Sequence, residues 1–152
     1  MEAEVTTMNK AERIEFVISE FRKADITIDE NQADKFVRLC DFMVEYNENV
    51  NLTSITEFSE VVVKHFVDSV LPFTMVDIPQ GSSFIDVGSG AGFPAIPLLI
   101  CRPDLKGTLC DSLNKRCVYL EKACELIGVK SEIIHALSLI HISEPTRRRG
   151  IS

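Results

Sequence analysis

The sequence predicts an α/β protein in which a doubly wound parallel sheet follows a helical N-terminal subdomain. Residues 84–97 read as a short buried strand, a glycine-rich turn and a helix. Strand and helix patterns then alternate as far as His135, which is typical of parallel strands joined by right-handed crossovers. Before them the chain shows only helical periodicity. We therefore predict a helical cap at residues 1–76 and a sheet domain at residues 77–136.

The helical cap begins with two predicted amphipathic helices. The first covers about residues 9–24, with apolar side chains spaced along one face at Ile14, Val17, Ile18 and Phe21. The second begins near Thr27, because Thr27 and Glu30 have the spacing of a capping box. It ends in the polar run at residues 46–51, whose side chains favour turns over helix.

A third helix completes the cap. It runs from about Thr56 to Leu71, with Ser54 and Glu57 as a second capping-box pair and Pro72 as its stop. Residues 77–83 contain a proline and a glycine and form the linker into the sheet.

The sheet domain opens on the strand Phe84–Val87, which is apolar except for Asp86. Three glycines follow, and glycine both permits positive φ and lets a ligand approach the backbone; they are Gly88, Gly90 and Gly92. A helix from about Pro94 to Cys101 comes next. A helix that begins behind such a turn offers free N–H groups to a nucleotide-type ligand.

Two further strands and a second crossover helix are predicted. The second strand, Gly107–Cys110, ends at Asp111. The helix Asn114–Ile127 stops at Gly128, a typical C-terminal cap residue, and the third strand is Ser131–His135. Strand, helix, strand, helix and strand in this order form a doubly wound sheet.

Composition excludes several classes of protein. The net charge of −7 indicates no general affinity for nucleic acid, so any such contact would need a local basic patch. Five cysteines without a CxxC pair favour small core side chains over disulfides or a zinc site. No apolar run is long enough to span a bilayer, and the polar, acidic N-terminus is no signal peptide, so we expect a cytoplasmic protein without a membrane or metal partner.

Residues 137–152 do not continue the pattern of the sheet. They resemble the translation of a transposase adapter from sequencing-library preparation, with Leu137 to Arg147 matching in one reading frame. We therefore expect a non-native tail on a protein truncated after about the third strand. Its three consecutive arginines should not be interpreted as an RNA-binding tail. The alternative is a genuine basic C-terminus, and the encoding DNA distinguishes the two.

The glycine turn carries the first indication of chemistry. Its spacing places the third glycine one residue earlier than in the dinucleotide pattern G-x-G-x-x-G, and Asp86 lies two residues before the first glycine. This form resembles the first motif of class I S-adenosylmethionine-dependent methyltransferases. Asp111 ends the second strand, where a carboxylate can accept hydrogen bonds from ribose hydroxyls. These features leave two classes open, a methyltransferase and a nicotinamide enzyme.

Four ordered motifs sharpen the comparison. They are Asn51-Leu52-Thr53-Ser54-Ile55, Lys64-His65-Phe66-Val67-Asp68-Ser69, the stretch from Asp86 to Pro94, and Leu109-Cys110-Asp111-Ser112-Leu113-Asn114-Lys115-Arg116. With them, residues 10–136 resemble the RsmG (GidB) family, whose members methylate N7 of a guanine in the 16S ribosomal RNA of bacteria. The resemblance implies a Rossmann-like class I methyltransferase fold and S-adenosyl-L-methionine as cofactor. Ala95 departs from the family, which often has glycine there.

The resemblance also implies the site. Cofactor contacts are expected at Gly88, Gly90, Gly92, Phe93, Asp111, Ser112 and Leu113, with more in a segment beyond the third strand that the expected truncation removes. From spacing alone, Phe93 is equally interpretable as core, and Asp86 as a partner of its own turn. We name no catalytic residue, because guanine N7 is a bare acceptor with no proton to remove. We expect the rate enhancement to come from alignment of the reactants and exclusion of water.

Contacts to RNA are assigned more loosely. Lys64, His65, Lys115 and Arg116 are the candidates, although a structural histidine and solvated surface charges are the simpler interpretation of these residues. The expected partner is 16S rRNA or the small ribosomal subunit, bound by a protein that is a monomer when complete.

Two alternatives to a methyltransferase stay open. One is an NAD-type oxidoreductase domain. The other is that the chain as it stands is an inactive fragment, since a sheet that ends at its third strand leaves an open edge and an uncovered apolar face. In that case we expect poor solubility and at most weak cofactor binding.

Overall fold

The computed structural model describes residues 8–135 and confirms the predicted α/β class. Its helices and strands are, in chain order, α1 (Lys10–Lys23), α2 (Glu30–Tyr46), the helical segment α3 (58–74), β1 (Ser83–Val87), α4 (Ala95–Cys101), β2 (Lys106–Asp111), α5 (Asn114–Ile127) and β3 (Ser131–His135). Residues 1–7 and the expected non-native tail at residues 137–152 lie outside the described part of the chain.

The first two helices begin at capping boxes. Asn9 and Glu12 form the box of α1, each side chain bonding the backbone N–H of the other residue. In α2 the same exchange joins Asp29 and Gln32, so the predicted start at Thr27 is wrong. Aspartate caps a helix at least as well as threonine, and its partner three residues later is a glutamine that reaches back.

The third helix differs most from its prediction. It begins at Phe58, where the Glu57 carboxylate accepts the N–H groups of Ser59 and Glu60, so the proposed Ser54–Glu57 box is wrong. Residues Val61–Val67 form a π-helix, and the segment ends in a 3₁₀ turn at Leu71–Thr74. Pi-helical turns are rare and occur often at functional sites.

The three strands form a parallel sheet in the order β1-β2-β3. Val87 pairs with Cys110, and Cys110 pairs with Ile134, so the carboxyl ends of all three strands lie together. The observed β3 has the predicted bounds, Ser131–His135, whereas β1 and β2 begin one residue earlier than predicted. The glycine turn and Asp111 therefore lie at the same edge of the sheet, as the order of elements predicted.

The two faces of the sheet differ in burial. Leu109 of β2 is fully buried, on the face that it shares with Phe84 and Ile133. On the opposite face, Ile85 is 53% and Val87 is 66% exposed. Exposed neighbouring apolar side chains on a strand are unusual in a soluble domain. Two apolar side chains of β1 are therefore exposed on this face, whereas Cys110 of β2, on the same face, is buried.

The helical cap and the sheet domain share one hydrophobic core. In the cap, the ring of Phe36 lies 4.9 Å from both Phe21 and Phe66. Phe42 of α2 stacks on Tyr119 of α5 with ring centres 5.7 Å apart. Because α2 and α3 pack directly on the sheet domain, cap residues are brought beside the glycine turn. The domain boundaries themselves stay a prediction.

Residues 8–135 contain no helix that is both long and apolar enough to cross a membrane. The five cysteines are free thiols. Within the same range, no group of three or more His, Cys, Asp or Glu side chains is arranged to hold a metal ion.

Candidate functional site

The glycine turn, residues 88–92, connects β1 to α4. Its three glycines have positive φ angles of 78°, 59° and 98°, which side-chain-bearing residues rarely adopt. The backbone N–H groups of Gly88 and Ser89 both donate to the carbonyl oxygen of Cys110, at 2.8 and 2.9 Å. The start of the turn is thus fastened to the end of β2.

The three glycines face different surroundings. A Cβ atom added at Gly88 or Gly90 would meet no atom of residues 8–135 within 4 Å. A Cβ added at Gly92 would lie 2.5 Å from Cδ1 of Ile96 and 3.2 Å from Cδ2 of Leu120. Gly88 and Gly90 therefore border open space that a ligand can fill, whereas Gly92 permits close packing of the turn against α4 and α5.

Asp111 lies beneath the turn and is only 2% exposed. Its Oδ2 accepts the N–H of Gly90 at 2.8 Å, and its Oδ1 accepts the N–H of Leu113 at 3.0 Å. The guanidinium of Arg116 lies 3.7 Å from the same Oδ1. A carboxylate has about four acceptor sites, so these contacts leave capacity for a further donor. In this structure the first role of Asp111 is to hold the turn.

Ser112 and Leu113 complete the rim of the site. Both are exposed, and the Leu113 side chain is 50% exposed although it is apolar. The carbonyl oxygen of Ser112 lies 2.8 Å from Nε2 of His135, at the end of β3. Both residues directly follow Asp111, and the Leu113 N–H shares that carboxylate with the Gly90 N–H.

Asp86 is interpreted as a partner of its own turn. Burial raises the pKa of its carboxyl, and the nearby Ser89 hydroxyl and Ala95 N–H oppose that shift. The Ser89 hydroxyl donates to the Asp86 carbonyl oxygen at 3.0 Å. One carboxyl oxygen, Oδ2, is buried without a hydrogen-bond partner among the described residues. These contacts favour a structural role at the start of α4.

His65 and Phe93 stack on each other, with ring centres 4.5 Å apart and an angle of 20° between the rings. His65 lies in the π-helix of α3, and Phe93 directly follows the glycine turn. Nε2 of His65 is hydrogen-bonded to the Thr53 hydroxyl at 2.8 Å. Both rings are half-buried, so this pair joins the cap to the turn.

The burial of His65 predicts a pH-dependent stability. Burial lowers the pKa of the His65 imidazole below its ordinary value of 6.5, and the negative charge of nearby Asp68 opposes that lowering only in part. The unfolded chain therefore binds the proton more readily, and the stability that His65 contributes above about pH 6.5 is lost as the pH falls. We expect His65→Gln to lose that part of the pH dependence when urea unfolding is compared at about pH 7.5 and pH 5.5. An identical pH dependence in both proteins would contradict this assignment.

The candidate RNA contacts separate into exposed and partly buried side chains. Lys64 and Lys115 are exposed, and Lys64 pairs with Glu60 at 3.0 Å. Arg116 is instead partly buried, and it donates to the carbonyl oxygen of Asn51 at 3.3 Å. The sequence does not predict this contact, although Asn51 belongs to one of the four motifs.

Comparison with known proteins decides the family. The family model described as "GidB: rRNA small subunit methyltransferase G" matches residues 32–138, which include the glycine turn and every candidate site residue. The chain belongs to the GidB family. The family resemblance inferred from the four motifs is thereby confirmed.

Curated relatives agree with the family match. A ribosomal RNA small subunit methyltransferase G of Bacillus subtilis is 44% identical over 118 residues, 78% of this chain and 49% of that protein. A protein of the same name from Staphylococcus carnosus is 40% identical over 80% of the chain and 51% of its own length. One from Staphylococcus haemolyticus is 38% identical over 91% and 56%. The chain therefore spans about half the length of the curated relatives it matches.

Of the two classes that the sequence left open, the comparisons favour the methyltransferase. The matching family and the curated relatives carry the name of an rRNA methyltransferase, an enzyme class that needs a methyl donor. A glycine turn alone also occurs in dinucleotide-binding enzymes, so the family match is what favours a methyl donor as the ligand of this turn.

Proposed function

We propose that the complete protein transfers a methyl group from S-adenosylmethionine to N7 of a guanine in bacterial 16S rRNA. The observation that carries this proposal is the open space beside Gly88 and Gly90, in a chain of the GidB family. The Gly90 N–H shares the Asp111 carboxylate with the N–H of Leu113. We place the protein in the cytoplasm as a monomer that acts on 16S rRNA or on the small ribosomal subunit.

The residues present fit the cofactor. Gly88 and Gly90 leave room for a ligand to approach the backbone, and the half-exposed Leu113 offers it an apolar contact. We assign direct contact to these residues and to Ser112. We assign to Gly92, Phe93 and Asp111 the shape of the site, with Asp111 also available to a ribose hydroxyl. Bound there, S-adenosylmethionine would supply an electrophilic methyl group on its sulfonium sulfur.

The proposed reaction needs no proton transfer by the protein at the attacking atom. Guanine N7 carries a lone pair and no hydrogen. The tasks left to the chain are therefore to orient the two reactants and to exclude water, which are the tasks that a rigid, preorganised turn performs. Accordingly we assign neither a catalytic acid or base nor a metal ion.

The RNA contacts are proposed on exposure and charge. Lys64 and Lys115 present exposed ammonium groups from α3 and α5, the two helices that flank the turn. Exposed lysines bind RNA phosphates through charge and release counterions. The negative net charge of the whole chain makes such a local patch necessary for RNA binding.

The proposed reaction is tested on the complete protein with small-subunit particles lacking the modification. We expect methyl transfer from S-adenosylmethionine to 16S rRNA, and chain cleavage at a single guanine after chemical treatment selective for N7-methylguanine. The control replaces Lys106, an exposed residue at the opposite end of β2, with alanine and should retain full transfer. A methyl group at another atom, or no transfer to rRNA, would contradict the proposal.

A further inference from the structure

We propose that the loop at residues 47–55 positions the glycine turn, and that it acts through Arg116 and His65. We assign both as positioning residues. The inference rests on the proposed function in one respect, namely that the ligand held by the turn is the methyl donor.

The loop is held in one shape by its own side chains. Oδ1 of Asn47 accepts the backbone N–H groups of Leu52 and Thr53, at 2.8 and 3.0 Å. The Thr53 hydroxyl accepts the N–H of Ile55 at 3.0 Å. Hydrogen bonds of this kind fix local backbone geometry in place of a regular helix or strand. The loop can therefore serve as a rigid anchor.

One bridge leads from this loop to the end of the turn. Thr53 holds His65 by the hydrogen bond between its hydroxyl and Nε2. The imidazole stacks on Phe93, the residue that directly follows Gly92. Phe93 also makes an edge contact with the buried Phe66, at 5.9 Å between ring centres. The ring of Phe93 is thus fixed by two cap residues that are neighbours in sequence.

A second bridge reaches the middle of the turn. The carbonyl oxygen of Asn51 accepts a hydrogen bond from Nη2 of Arg116. The other terminal nitrogen of Arg116 lies 3.7 Å from Oδ1 of Asp111, whose Oδ2 accepts the N–H of Gly90. The loop, Arg116, Asp111 and Gly90 therefore form one continuous series of contacts.

Neighbouring side chains separate the two roles. Arg116 and His65 are partly buried and are used in these bridges, whereas Lys115 and Lys64, each adjacent in sequence, are exposed. The two bridges start from the same loop and hold different parts of the glycine turn, a segment that is otherwise free to adopt many conformations. A turn that is fixed before the ligand arrives costs less entropy on binding. The helical cap thereby contributes to the affinity of a site that it does not line.

Amide hydrogen exchange measured by NMR tests the proposal without any ligand. We expect Arg116→Ala to accelerate exchange of the Gly90 N–H about tenfold, the effect of weakening one charge-assisted hydrogen bond. His65→Gln, which removes the stacking ring, should do the same at Gly92. Lys115→Ala and Lys64→Ala are the matched controls and should leave both rates unchanged. Amides of α2 report whether the fold is intact.

The outcomes are distinguishable. Unchanged exchange at the turn in both Arg116→Ala and His65→Gln would overturn the proposal, as would equal acceleration in the lysine controls. If Arg116→Ala accelerates exchange throughout the chain, Arg116→Lys replaces it as the test variant. In that variant, acceleration confined to the Gly90 N–H supports the bridge, and unchanged exchange at Gly90 contradicts the bridge. Titration of the complete protein with S-adenosylhomocysteine should show about tenfold weaker binding by Arg116→Ala. Failure of the unaltered complete protein to bind that ligand would reject the proposed function while leaving the exchange result intact.

Discussion

Replacing Asp111 with alanine is expected to weaken binding of S-adenosylhomocysteine by the complete protein about a hundredfold or more. The substitution removes the acceptor for two backbone donors, the N–H groups of Gly90 and Leu113. Each donor left without a partner costs about 1–3 kcal/mol. Because both belong to the rim of the proposed site, its shape is lost with them. Isothermal calorimetry measures the affinity, and chemical unfolding measures the accompanying loss of stability.

Asp111→Asn is the matched control for size. Its amide keeps an acceptor at only one of the two oxygen positions, so it can serve one of the two N–H donors where they lie, and its NH₂ group faces the other donor. We expect an affinity between those of the unaltered protein and Asp111→Ala. An alanine variant that binds as tightly as the unaltered protein would show that the carboxylate does not organise the site.

Gly92→Ala is expected to lower the free energy of unfolding by about 3 kcal/mol, from a left-handed backbone and from overpacking. The new methyl group would lie 2.5 Å from Ile96, in a region already filled by Leu120. Gly88→Ala should cost only about 1 kcal/mol, because its φ is also positive but the space beside it is open. Urea unfolding of both variants measures the difference.

The same pair separates packing from ligand binding. In the complete protein, Gly88→Ala should reduce cofactor affinity more than it reduces stability, because its methyl group occupies space that we assign to the ligand. Gly92→Ala should do the reverse. Equal losses of stability in the two variants would contradict the distinction drawn between an open and a packed glycine.

The parts of the fold that depend on local pattern were predicted well. The turn at residues 88–92, the bounds of α5 and those of β3 follow from hydrophobic periodicity and from glycine positions, which act over a few residues. The predicted N-caps of α2 and α3 are wrong. Several nearby threonine, serine and acidic residues can each cap a helix, and only tertiary packing decides which of them becomes the N-cap. The π-helix at Val61–Val67 has no sequence pattern comparable to that of an α-helix.

The sequence places the candidate site residues along the chain but does not show the contacts among them, and their roles stay a prediction. Sequence position alone placed Asp111 at the end of β2, next to the turn. Its bond to Gly90 joins the end of β2 to a turn 21 residues earlier, and the bond from Arg116 of α5 to Asn51 spans 65 residues. Contacts between segments that are distant in the sequence leave no periodic pattern in it. The partial burial of Arg116 and the exposure of Lys115 likewise depend on how the cap packs on α5.

The central claim is that this chain carries the part of a methyl-donor site built on β1 and β2. Titration of the uniformly ¹⁵N-labelled chain with S-adenosylhomocysteine, and in parallel with NAD, tests it most directly. We predict chemical shift changes at the amides of Gly88, Gly90, Ser112 and Leu113 with S-adenosylhomocysteine, with affinity weaker than micromolar, and none there with NAD. Shifts at these amides with NAD, or none with S-adenosylhomocysteine up to its solubility limit, would contradict the account.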